Sequence, residues 1–142
     1  MRAPDFWHRG GLLPLLLSPA GAIWRKRSAA RFANASPSKV HAPVICIGNV
    51  VAGGAGKTPV ALAVNEALTR HGVAGHFLSR GYGGTERGPL QVDPDLHSAA
   101  DVGDEPLLLA QHAPTWIARD RVAGAQAAVA AGAQAIVMDD GF

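Results

Sequence analysis

Between Pro43 and Phe142 the chain holds a single lysine, Lys57, where an ordinary protein surface would scatter several. Cysteine is as scarce. Cys46 is the only one, which excludes a disulfide framework and suits a reducing compartment. It lies within an apolar run and reads as a small buried hydrophobe. No apolar run approaches the roughly twenty residues that a membrane span needs, because the leucine-rich stretch near the N terminus is broken by Pro14 and Pro19. The six histidines stand singly, at no spacing that suits a metal. Charged residues make up 17% of the chain against 48% apolar, which excludes disorder, and 142 residues suffice for one core.

Charge is unevenly spread. Residues 1–42 carry seven Lys/Arg against Asp5 alone, a balance of +6, whereas residues 43–142 carry six against ten Asp/Glu, a balance of −4. The basic character therefore belongs to the N-terminal segment, and the core offers no basic face for nucleic acid.

That segment admits several readings. Arg2, Arg9, the leucines and Ala20-Gly21-Ala22 resemble a signal peptide. The stretch Gly53-Gly54-Ala55-Gly56-Lys57-Thr58 argues against export, because a phosphate-binding loop needs a compartment that holds ATP. A helix capping the core is the plain alternative. We favour an interfacial anchor, with leucines, Trp7 and Trp24 at the acyl boundary and Arg25-Lys26-Arg27 and Arg31 against anionic lipid. Ala33 to Ala42 reads as a linker, so residues 1–42 form a membrane-associating segment and linker, and residues 43–142 the core.

The core is organised around Pro43 to Pro59. Val44 to Ile47 is a β-branched apolar run that predicts a buried parallel strand. A glycine-rich turn follows, then Lys57, Thr58 and Pro59 at the start of a predicted helix. This strand, loop and helix order is what a phosphate-binding loop requires. Gly53, Gly54, Ala55 and Gly56 supply backbone N–H groups to an anion, and the helix N-terminus adds partial positive charge. Lys57 would reach the β- and γ-phosphates of a nucleotide and the Thr58 hydroxyl would hold Mg²⁺. The usual loop has a further glycine five residues before Gly56, where this chain has Val51.

Further along, Val60, Val64, Ala67 and Leu68 recur at helical spacing, and His71-Gly72 closes that helix. Ala74 to Ser79 predicts a strand running into Arg80-Gly81-Tyr82-Gly83-Gly84. Leu90 to Val92 predicts a brief strand, followed by an acidic loop from Asp93 to Asp101. Gly103 to Pro106 precede a predicted helix over Leu107 to Gln111, and Thr115 to Ala118 predicts a strand. Arg119-Asp120-Arg121 then opens an alanine-rich helix ending near Gly132, and Ala135 to Met138 runs into Asp139-Asp140. Alternating strands and helices predict an α/β three-layer fold on a mostly parallel sheet, of the P-loop NTPase type. Ligands then gather at the carboxyl ends of the strands.

An apolar strand ending in Asp139 fits the second metal element of such enzymes. The chain ends directly after it, and we expect these residues to be the front part of a longer protein. Asp104-Glu105 reads either as acids favoured at a helix N-terminus or as a general base for a substrate hydroxyl. Arg80 reads either as a solvated loop cation or as a clamp on phosphate.

Four stretches in this order resemble the tetraacyldisaccharide 4'-kinase (lipid A 4'-kinase) family: Ile47 to Pro59, Leu78 to Gly84, Val102 to Pro106 and Met138 to Phe142. That family's loop also lacks the first glycine. The resemblance implies transfer of the γ-phosphate of ATP to the 4'-hydroxyl of a lipid disaccharide 1-phosphate in lipopolysaccharide synthesis. It places the reaction at the cytoplasmic face of the bacterial inner membrane. By motif it assigns Lys57 and Thr58 to ATP and Mg²⁺, with Asp139, Asp140 and Glu105 on the metal side. Asp104 becomes the general base and Arg80 lies near substrate or phosphates. The base's histidine partner belongs to a later part of the family's sequence, so these 142 residues alone are expected to bind nucleotide weakly and not to turn over. The alternatives are a switch-type P-loop NTPase and a nucleotide-binding module of a larger assembly. Ala52 stands where partitioning ATPases carry a lysine, and no base-reading [NT]-K-x-D element of a GTPase is present.

Overall fold

A computed structural model describes residues 18–19, 21–27, 38–48 and 56–139, the last by its backbone alone. The chain divides into two compact units, Met1–Ser38 and Lys39–Phe142. In the first, residues 21–27 are helical, with Ile23 and Trp24 well exposed. No helix among the described residues is long and apolar enough to cross a membrane.

In the second unit, β1 (Val44–Ile47) leads toward α1 (Lys57–Arg70), which is followed by β2 (Gly75–Ser79) and the two-residue β3 (Leu90–Gln91). Two short helices, α2 (Ala99–Val102) and α3 (Asp104–Ala110), precede β4 (Thr115–Ile117), α4 (Arg121–Ala130) and β5 (Ala135–Asp139). The strands form one sheet in the order β1-β5-β2-β4-β3. All pairings are parallel except β3 with β4. The expected α/β architecture is present.

Alternation along the central strands builds the layers, because successive side chains leave opposite faces. On one face Phe77 and Val137 meet Ala61 of α1 and Leu109 of α3. On the other, Leu78, Ile136 and Met138 meet Ala125 and Ala128 of α4. Every residue of β2 is buried, as a strand covered on both faces should be.

Several expectations are corrected. β1 is an edge strand with alternating exposure, not a buried one. α4 packs on β2 and β4, so no described helix covers the Val44 and Cys46 face. Cys46 is accordingly exposed rather than buried. In α1 the innermost positions are Ala61 and Asn65, while Val60 is half exposed. Close approach to the sheet selects the small residue, and a β-branched one stays outside. Residues 39–42, read as linker by composition, belong to the compact unit, with Ala42 buried and Val40 against the core. α3 starts at Asp104, three residues before the predicted start, because Pro106 sits comfortably in a first turn that needs no N–H. The acidic loop contains α2, closed by a capping box in which Ser98 and Asp101 bond reciprocally.

Candidate functional site

The parallel ladder brings the strand ends to one edge of the sheet. Ile47 pairs with Asp139 and Ser79 with Ile117, so the segments leaving β1, β5, β2 and β4 emerge together. The N-terminus of α1 lies in the segment after β1. Gly56 caps it in the left-handed region (φ 92°), and Lys57 and Thr58 form its first turn, half-buried. The N-terminus of a helix favours an anion.

Thr58 does not stand alone. Its Oγ1 donates to Glu105 Oε1 at 2.6 Å, joining the first turns of α1 and α3 across 47 residues of sequence. A hydroxyl that donates to a carboxylate makes a stronger bond than one between neutral groups. Asp104, next in the same turn, is exposed to solvent. Gly103 precedes it with φ 92° and ψ 156°, a region essentially reserved for glycine. A Cβ there would meet the Tyr82 carbonyl oxygen at 2.5 Å. The turn that presents Asp104 is thus packed directly on the glycine-rich loop after β2.

That loop forms a groove of about 390 Å³ with Arg80, Tyr82 and Arg119 on its walls. Arg80 is exposed, and Tyr82 is 92% exposed. Arg121, at the start of α4, lies within electrostatic reach of Arg80. Burial and then the charge of Arg80 push its guanidinium below the usual arginine range, while Cys46 acts in the opposite direction. Sequence reasoning treated Arg119 and Arg121 only as a helix opening. Their position just beyond a parallel strand was the available signal. Asp120 between them is structural, its carboxylate capping α4 through the Val122 and Ala123 N–H groups.

The structure therefore brings Thr58 and Glu105 into contact and sets the Asp104 turn against the Arg80 groove. Gly53, Gly54, Ala55 and Asp140 lie outside the described residues, as does the Asp139 side chain. Among the described residues no group of three or more His, Cys, Asp or Glu converges on one point. Pro59 follows Thr58 as the third residue of α1 and is exposed.

Comparison with known proteins identifies the family and the fold. The family model for tetraacyldisaccharide-1-P 4'-kinase matches residues 12–142. The tetraacyldisaccharide 4'-kinase of Rhodospirillum rubrum is 57% identical over 141 residues, which is 99% of this chain and 43% of that protein. The tetraacyldisaccharide 4'-kinase of Caulobacter vibrioides is 57% identical over 143 residues, covering 97% of this chain and 43% of its own. A crystal structure of LpxK from Aquifex aeolicus in complex with ATP superposes with a TM-score of 0.74 at 27% identity, over 92% of this chain and 45% of that one. The chain thus spans less than half the length of these relatives. With the parallel sheet, the Gly56-Lys57-Thr58 turn and the Glu105 contact already in hand, the match over residues 12–142 establishes that the chain belongs to the tetraacyldisaccharide-1-P 4'-kinase family.

Proposed function

We propose that this chain carries the nucleotide site and the acceptor-activating side of an ATP-dependent kinase acting on the 4'-hydroxyl of a tetraacyldisaccharide 1-phosphate. The observation that carries the reading is the Gly56-Lys57-Thr58 turn at the head of α1, beside the aligned ends of β1 and β5. ATP binding by the Aquifex aeolicus protein and the names of the relatives support it.

In this reading, backbone N–H groups of residues 53–56 cradle the phosphates and Lys57 offsets their charge. The residues present fit Mg²⁺, because Thr58 offers a hard hydroxyl oxygen in the first turn of α1 and Asp139 ends the strand beside β1. When bound, the ion neutralises charge on the phosphates. Asp104, exposed toward solvent, takes the proton of the acceptor hydroxyl as its oxygen bonds to the γ-phosphorus. The bond from that phosphorus to the β–γ bridging oxygen breaks and ADP leaves. Arg80 and Arg119, on the groove beside the Asp104 turn, hold an anionic group of the acceptor.

The N-terminal segment supplies contact with the cytoplasmic face of the inner membrane. Ile23 and Trp24 are 61% and 73% exposed and run directly into Arg25-Lys26-Arg27. An apolar pair followed by a basic cluster suits an anionic lipid surface.

The test is ³²P transfer from labelled ATP to the lipid disaccharide 1-phosphate in micelles, using the full-length protein. Lys57→Ala and Asp104→Asn are each expected to lower transfer by about 10²–10⁴-fold, the latter with ATP affinity kept. ATP hydrolysis without labelled lipid would replace the kinase with a switch-type NTPase.

A further inference from the structure

We propose that Glu105 is a positioning residue that acts on the nucleotide's divalent cation through Thr58, not as a ligand of it. The inference rests on the nucleotide-site reading above and assigns a role within that site.

A threonine hydroxyl has one proton and two lone pairs. Whichever group takes the proton decides where the lone pairs point. Here the proton is committed to Glu105 Oε1 at 2.6 Å, so the lone pairs of Oγ1 face away from α3. A cation needs those lone pairs. A hydroxyl left free would instead turn its proton toward a phosphate oxygen and present the wrong end. An ionised acceptor makes the preference strong, since charge-assisted bonds exceed neutral ones about twofold. Glu105 is half-buried in a turn anchored on both sides. Pro106 behind it is fully buried, and Gly103 ahead of it abuts the Tyr82 carbonyl. A carboxylate held this way keeps its partner's orientation between turnovers.

The same bond ties the turn bearing Asp104 to the head of the nucleotide helix. The two halves of the site are thereby held as one unit by a side chain from each.

The experiment measures affinity for a fluorescent ATP analogue in the full-length protein, with Mg²⁺ and again with EDTA. Glu105→Ala should lower the Mg²⁺-dependent gain in affinity about ten- to a hundredfold, as loss of one hydrogen bond to a charged group predicts. Affinity in EDTA should stay unchanged. Glu105→Gln keeps an acceptor oxygen and should restore the gain to within about threefold. In a Thr58→Val background, Glu105→Ala should cost nothing further. A loss that persists in that background, or a Gln variant as weak as Ala, overturns the proposal in favour of a direct ligand. Equal losses with and without Mg²⁺ overturn it in favour of a purely structural role. Wild-type protein that binds no analogue overturns the nucleotide-site reading itself and this inference with it.

Discussion

Ile47 and Asp139 stand opposite one another in the parallel ladder between β1 and β5. The glycine-rich stretch of the sequence follows β1, so an acid at the end of β5 lies one strand away from its start, at the level of Ile47. Asp139→Asn should therefore weaken Mg²⁺-dependent nucleotide binding while sparing binding in EDTA. Titration of a fluorescent nucleotide in both conditions, on full-length protein, measures this. Equal affinity of variant and wild type in Mg²⁺ would remove Asp139 from the metal side.

Gly103 holds a backbone conformation that side chains avoid, and its Cα faces the Tyr82 carbonyl. Gly103→Ala is expected to cost about 1–3 kcal/mol from the dihedral alone. Urea unfolding should show a lower midpoint with an unchanged slope. Because Asp104 follows directly, transfer should fall further than the loss of folded protein explains.

His76 is buried on β2, and burial lowers its pKa below the usual histidine value. Trp116 Nε1 donates to its Nδ1 at 3.4 Å, a contact that requires an unprotonated ring nitrogen. The unfolded chain takes up a proton at a higher pH than the folded one. Stability contributed by neutral His76 is thus complete above the unfolded value near 6.5 and is lost as pH falls below it toward the folded value. Denaturation midpoints from pH 8 to 5 should decline less steeply in His76→Gln. An identical decline would assign the effect to other groups.

Asp120 accepts from the N–H groups of Val122 and Ala123 at the head of α4. Asp120→Ala should destabilise by about 1 kcal/mol, and Asp120→Asn or Asp120→Ser by less. Thermal unfolding of the three variants checks the order. A loss of phosphate transfer in Asp120→Asn at full stability would show a role in the chemistry instead.

The alternation of apolar runs with helical spacings, and the glycine-rich stretch before Lys57, were legible in the chain itself. Both are local features. A strand's period of two and a helix's period near 3.6 are written into neighbouring residues, as is the Asp139 that ends an apolar run. The sequence determined the α/β class, the strand before and the helix from Lys57, and the four stretches that carry the family resemblance. It misjudged Cys46 and β1, because exposure depends on whether a helix from elsewhere covers that face, and α4 covers β2 and β4 instead. Only the tertiary structure decided that Glu105 meets Thr58, that Arg119 shares a groove with Arg80, and that Arg121 feels Arg80's charge. Those relations join residues 39 to 47 positions apart, and no local period encodes them. They follow from the sheet order, which brings the ends of separate strands to one edge.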